Sequence, residues 1–497
     1  MNDPEKSDRL VVPTKSPNKA GTSSAAEAAE GRSPAKGNMS EHTASRTQSR
    51  TNAPDALDRV REAARRDRKA KFTALLHHVT VQRLRDAYLS LKRQAAAGID
   101  GVTWEQYGEG VEVRLQDLHA RLHRGAYRAR PSRRVYIPKP DGRQRPLGIA
   151  ALEDKIVQRA VVEVLNAIYE VDFLGFSYGF RPGRNQHQAL DALSTAIMYK
   201  KVNWVLDADI RGFFDAIDHG WLVKFLEHRI ADSRILRLVK KWLAAGVLEK
   251  GVWSATEEGT PQGATISPLL ANVYLHCVFD LWVQQWRKRS ASGEVIVVRY
   301  ADDFALGFQY ERDAVRFRTD LRERLRTFGL ELHPDKTRLF RFGRYAERDE
   351  GGLGRGKPET FDFLGFTHIC GKSESGKFLV LRRTSKARMR AKLKALREEL
   401  RRRRHLPVRE QGRWLQSVVR GYFAYHAVPT NGRRLGAFRT QLARHWVKAL
   451  RRRSQRDRAN WARMSRIVDR WLPNVRILRP YPWDRFDANT RGRSRVR

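Results

Sequence analysis

The chain has 497 residues, room for two to four domains, and 97 Lys+Arg against 55 Asp+Glu give it a formal net charge of +42. Such a charge implies a polyanionic partner. Its two cysteines, Cys277 and Cys370, exclude a Cys-based zinc module, and there is neither an apolar run of 18 residues nor a hydrophobic N-terminal signal, so a cytoplasmic protein with no membrane partner is expected.

Residues 1–54 are rich in Ser, Ala, Thr, Gly and Lys/Arg, and the first Phe, Tyr or Trp is Phe72; a disordered basic tail is expected there. Residues 55–129 form a helical extension in which Leu57, Val60, Leu75, Leu76, Leu84 and Leu91 alternate with Arg/Lys faces. Those faces suit a platform for nucleic acid, and equally the solvated side of a core-packing helix pair. At 130–150, apolar arms flank Pro140-Asp141-Gly142, which predicts a hairpin. Lys139 and Arg145 fall on opposing arms near its tip, where a point charge and a fork would clamp phosphates. Edge-strand charges that block aggregation are the alternative, better suited to Arg133 and Arg134. A helix over 153–169 follows. The turn at 180–184 then leads into a helix start carrying His187, read as a satisfied structural histidine.

The segment 204–215 is a short apolar strand with an Asp-rich end, where Asp207 and Asp209 share a face. Asp215 or Asp218 fits a helix cap, a role that explains neither Asp207 nor Asp209. Phe214, five residues past Asp209, is placed to pack against the sugar of a nucleotide. Gly259-Thr260-Pro261-Gln262-Gly263 predicts a bent loop, with Gln262 projecting, ahead of a helix at 269–279. At 296–308, Asp302 and Asp303 stand at the tip of an otherwise apolar hairpin. Burying two adjacent carboxylates uncompensated would cost several kcal/mol. A divalent cation removes that cost, and Mg²⁺ held by carboxylates steadies a triphosphate under in-line attack. A solvated Asp-Asp turn would predict polar alternation around it, which is not what is written here.

A helix over 313–328 precedes Lys336, and 361–366 alternates as a strand. Met389, Leu393, Leu396 and Leu400 mark a basic amphipathic helix over 384–404. Pro407 breaks it, Trp414 to Phe423 repeat the pattern, and a third helix is expected over 435–453. From Arg382 onward there are 35 Lys+Arg and 7 Asp+Glu, so 28 of the 42 excess charges lie there, interleaved with aromatics as in a nucleic-acid surface.

With these boxes in view, the chain resembles the reverse transcriptase–maturases encoded within bacterial group II introns. Tyr300-Ala301-Asp302-Asp303 matches the family's Tyr-Ala-Asp-Asp box, and 209–215 its first metal-binding motif. Gly259 to Gly263 with Ser267-Pro268-Leu269-Leu270-Ala271-Asn272 matches the segment behind the nucleotide pocket. Ile137-Pro138-Lys139-Pro140-Asp141-Gly142, Ser177-Tyr178-Gly179-Phe180-Arg181-Pro182, Leu332-His333-Pro334-Asp335-Lys336-Thr337 and Phe361-Asp362-Phe363-Leu364-Gly365-Phe366 follow in the family's order.

The resemblance implies an α+β right-hand polymerase: fingers starting within 55–129, fingers and palm over 130–370, and an α-helical thumb, the maturase domain X, over 371–455. A basic DNA-binding tail would occupy 456–497. It implies an RNA-directed DNA polymerase with catalytic Asp209, Asp302 and Asp303 holding Mg²⁺, and the Ile210 carbonyl as a further ligand. Lys139, Arg145, Phe214, Gln262 and Lys336 would contact the dNTP or the nascent pair, with Lys336 near the leaving pyrophosphate as proton donor or as charge alone. The partners implied are group II intron RNA, an RNA template with its DNA primer, and target DNA. Residues 180–190 would touch template, and 361–366 would grip the primer end. No C-terminal His-Asn-His endonuclease is expected, since the last 40 residues contain no His. Two other readings stay open: a splicing factor with a vestigial polymerase site, or a domesticated reverse transcriptase in a role such as phage defence.

Overall fold

The computed structural model describes residues 56–138, 144–249, 252–254, 259–260, 263–346, 357–453 and 461–485. Its first helices, α1 (Ala56–Arg66) and α2 (Val81–Ser90), are separated by a bridge between Phe72 and Ile230 and a single 3₁₀ turn at Leu76–His78. The expected helical stretch is therefore interrupted, and the cause is tertiary. Arg229 donates to the carbonyls of Asp67 and Ala70 at 3.1 and 3.0 Å, and Asp232 accepts from the N–H groups of Leu75 and Leu76. Short α3 (Trp104–Gly108) opens on a Thr103/Gln106 capping box and leads to α4 (Val111–His123).

The hairpin is β1 (Ser132–Pro138) with β2 (Gln144–Ile149), antiparallel, Ile137 opposite Arg145. Long α5 (Leu152–Asp172) is buried on most of its surface, and α6 (Gln186–Tyr199) starts at an Asn185/Gln188 capping box. Then come β3 (Trp204–Asp209), α7 (His219–Glu227) capped by Asp218, α8 (Ser233–Ala244), β4 (Val247–Glu249) and β5 (Val252–Ser254). The helix expected at 269–279 begins earlier, as α9 (Ser267–Leu275) with Pro268 in its first turn. It widens into a π turn at His276–Asp280 before α10 (Leu281–Arg289).

Strands β6 (Val295–Tyr300) and β7 (Asp303–Phe308), helix α11 (Glu311–Thr327) and β8 (Arg338–Arg341) complete an antiparallel sheet in the order β6-β7-β3-β8. One face, with Leu206, Phe304 and Leu306, packs on Phe225, Tyr274, Phe279 and Phe328. The other, with Val205, Ile296, Val298 and Ala305, packs on α6 and on Phe361, Phe363 and Phe366. Burial on both faces is why these strands read as continuous apolar runs rather than as alternation. The expected strand at 361–366 is instead a tight hairpin. It runs as β9 (Phe361–Phe363), a turn at Leu364 (φ 48°) and Gly365 (φ 85°), then β10 (Phe366–Lys372), which pairs with β11 (Phe378–Thr384). Two successive left-handed residues make a turn whose twist suits a hairpin.

Helices α12 (Lys386–Arg402), α13 (Val408–His426) and α14 (Gly432–Arg451) enclose a separate core of Leu396, Leu400, Leu415, Val419, Phe438 and Trp446. Met464, Val468 and Leu472 of α15 (Trp461–Trp471) and the residue after it join that core. The chain beyond α15 folds back: Leu478 N–H donates to Ala427 O at 3.0 Å, and Arg485 pairs with Asp191 at 2.8 Å. No described helix is long and apolar enough to cross a membrane.

Candidate active site

The register of the central sheet decides the geometry of the aspartates. Asp209, last in β3, stands directly opposite Asp303, first in β7, and Asp302 occupies the turn between β6 and β7. Like charges directly opposite on paired strands repel. The Asp303 carboxyl is accordingly pushed up to about 6 by its crowded surroundings and by Asp302 and Asp209, although its side chain opens to solvent. Asp207, on the same strand face as Asp209, is pushed up to about 7 by burial and by Asp303, with Arg338 opposing. Four carboxylates thus share one corner. Lys336 Nζ forms an ion pair with Asp209 there.

Four neighbouring hard oxygen donors, of which Asp207 and Asp303 are held above the usual carboxylate range by burial and by like charge, fit a divalent cation, which would hold them ionised. Among the described residues, no three His, Cys, Asp or Glu side chains converge tightly enough to chelate one as they stand. Ile210 bridges Leu332, but the bridging bonds are made by Asp209 O and Arg211 N–H, so the Ile210 carbonyl is not consumed in them. Lys336 is half-exposed as well as ion-paired.

Beneath the turn lies a feature the sequence reading passed over. Arg299, fully buried, donates through Nε and Nη2 to both oxygens of Asp280 (2.7 and 2.6 Å). Its Nη1 serves Asn272 Oδ1 (3.1 Å) and Ala301 O (3.0 Å), and its Nη2 serves Ser177 Oγ (2.7 Å). Ala301, between Tyr300 and Asp302, has φ 57°, a left-handed conformation that costs roughly 1 kcal/mol or more for a residue with a Cβ. The guanidinium fixes its carbonyl. Gly179 is required alongside, since a Cβ there would stand 2.2 Å from Ala301 N. One signal was available: an arginine inside an otherwise apolar strand must find a buried partner.

Phe214 sits in a 3₁₀ turn (Phe213–Asp215), half-buried, with its ring 6.4 Å from that of exposed Phe180. Gly259 and Gly263 do approach a backbone closely, and that backbone is the protein's own. A Cβ on Gly259 would meet Asp215 Cα at 2.9 Å, and one on Gly263 would meet Gly148 O at 2.8 Å. Gln262 and Lys139 lie outside the described residues, as does the Arg145 side chain; the backbone of Arg145 is in β2. Within the segment expected to touch template, Arg181 turns inward to Glu170 (3.0 Å) and to the carbonyls of Leu174 and Ser177. His187 is buried as expected but not satisfied: neither ring nitrogen has a hydrogen-bond partner among the described residues. Burial and the neighbouring Arg479, Arg382 and Arg485 hold it down at about 3.

Known proteins resemble this chain in sequence. Residues 137–368 match the reverse transcriptase (RNA-dependent DNA polymerase) family. Protein YkfC of Escherichia coli K12 is 36% identical over 286 residues, 50% of this chain and 74% of that protein. The group II intron-encoded protein LtrA of Lactococcus lactis is 38% identical over 191 residues, 38% of this chain but 32% of LtrA. Nuclear intron maturase 2 of Arabidopsis thaliana is 29% identical over 107 residues, 22% of this chain and 14% of that maturase.

Proposed function

Since the chain belongs to the group II intron-encoded reverse transcriptase family, we propose that it extends a DNA primer along an RNA template with dNTPs, and that it binds its intron RNA to assist splicing and movement into target DNA. The observation that carries the reading is Asp209 paired with Asp303 across β3 and β7, with Asp302 at the adjoining turn. Mg²⁺ bound by those carboxylates and the Ile210 carbonyl would neutralise triphosphate charge and lower the pKa of the primer hydroxyl. The protein's own part is positioning. The Arg299 network sets the Asp302 turn, and the exposed face of Phe214 would pack against a sugar ring. Lys139 and Arg145 would supply cations for phosphates, and Gln262 a side chain to the nascent pair. With a metal ion on Asp209, Lys336 would be available to the leaving pyrophosphate, as proton donor or as charge alone. Work in the cytoplasm is part of the same proposal, on the sparing use of cysteine in the chain.

The test is direct. Purified protein with Mg²⁺, dNTPs and a DNA-primed RNA template is expected to produce full-length cDNA, and the D302N variant almost none. Absence of cDNA from the wild type would leave RNA binding and splicing as the whole activity. Splicing of a group II intron RNA at low Mg²⁺, with and without the protein, tests the maturase half separately.

A further inference from the structure

Between the C-terminal end of α4 and the face of α8 lies a cavity of about 120 Å³ that no role above uses. His123, Arg124, Arg234, Arg237 and Lys241 line it. Arg234 is already taken by Asp232 at 3.1 Å. That carboxylate also accepts from Leu75 and Leu76 N–H, and is held at about 2 by these bonds against the upward push of burial. It has no capacity left for the other cations. Among the described residues, no carboxylate lies within ion-pairing distance of Arg124, Arg237 or Lys241. Lys241 Nζ donates to the carbonyls of Gly125 and Tyr127, which leaves one of its three donors open. His123 Nε2 is buried without a hydrogen-bond partner among the described residues.

Cations gathered in a concavity without counter-charge focus a positive potential, and an anion is the missing component. Two guanidinium forks and an ammonium match the several acceptor oxygens of a phosphate group. Arg124 and Arg237 are exposed at the mouth, so a ligand seated there continues into solvent, as a polymer does. None of the lining residues belongs to β3, β6 or β7, the strands that carry the aspartates.

We propose that this cavity seats one backbone phosphate of an RNA chain, an anchor separate from the polymerase cleft. That the polymer is RNA rests on the proposed function; the phosphate chemistry rests on the cavity alone. The full chain and its Arg124→Ala/Arg237→Ala variant would be compared by filter binding to a structured intron RNA across a salt series. Primer extension on a short RNA–DNA hybrid and thermal unfolding with inorganic phosphate would run alongside. In the variant, RNA affinity is expected to fall by roughly threefold to tenfold and the log–log salt slope by about one. Extension of the short hybrid should be unchanged, and Arg237→Lys should keep most of the slope. An unaltered affinity and slope overturns the site. So does loss of short-hybrid extension, which would mean that the cavity is part of the cleft. If inorganic phosphate stabilises the wild type and not the variant while RNA binding is identical, the ligand is a free phosphate compound and the RNA assignment is overturned. A wild type that binds no RNA defeats this proposal together with the functional reading, whereas RNA binding without cDNA synthesis leaves this one intact.

Discussion

Asp209 and Asp303 are directly opposed residues on neighbouring antiparallel strands, so two carboxylates separated by 94 positions in sequence share one end of one sheet. Each strand delivers its aspartate at the point where apolar packing stops. With Asp302 beside them, the removal of a single charge has a definite expected outcome. Asp302→Asn should lower the primer-extension rate by at least ~3 kcal/mol in barrier, the scale of losing an essential electrostatic group. Measured single-nucleotide incorporation with full activity in that variant would remove Asp302 from the site.

Asp207 predicts a pH effect of definite sign. Its carboxyl is pushed up to about 7 from the ordinary 3.8 by burial and by Asp303, so between those values the folded protein holds a proton that the unfolded chain has released. Stability from this group is therefore present at low pH and lost as pH rises through about 7. Asp207→Asn should be as stable as wild type near pH 4 and more stable by roughly 1–2 kcal/mol above pH 7, a figure discounted for the solvent reaching the side chain. Thermal unfolding without divalent cation, at both pH values, measures the difference. Mg²⁺ at neutral pH should shrink it, because the cation favours the ionised form.

Phe214 should exclude ribonucleotides if its exposed face meets the sugar. Phe214→Val is expected to raise rNTP incorporation relative to dNTP by about 1–3 kcal/mol, the usual reach of a steric pocket difference. Competition between rNTP and dNTP at one template position reads this out. Unchanged discrimination would make the Phe213–Phe214–Phe180 cluster a packing element and nothing more.

Arg299 should matter for both stability and rate. Arg299→Met leaves the Asp280 carboxylate buried without its fork, which should cost about 3–5 kcal/mol in unfolding free energy. Arg299→Lys keeps the charge but cannot span Asp280, Asn272, Ser177 and the Ala301 carbonyl together. That variant should retain more of the stability and still lose kcat with little change in KM, through the released Ala301 turn. Equal kcat in Arg299→Lys and wild type would confine the network to a folding role.

Much of the candidate site's layout was legible in the chain itself, and the reason is local. A carboxylate pair at the tip of an apolar hairpin, or an Asp-rich end on an apolar strand, breaks a pattern set by a few residues. Period and polarity expose such breaks without any knowledge of the fold. The amphipathic thumb helices were legible for the same reason, since Leu396, Leu400, Leu415 and Val419 follow helical spacing. What the sequence could not decide was pairing across distance. Only the register of β3 against β7 sets Asp209 against Asp303 and draws Asp207 into the same repulsion. Only the packing of α9 and the π turn beneath the β6–β7 turn brings Asn272 and Asp280 to Arg299. Only the return of Arg229 and Asp232 onto 67–76 breaks the first helical stretch in two. Each of these joins residues 19 or more positions apart, where period and propensity carry no information. The physical deciding factor is the cost of leaving a buried charge or backbone group unpaired, and that is settled only when the whole chain has folded.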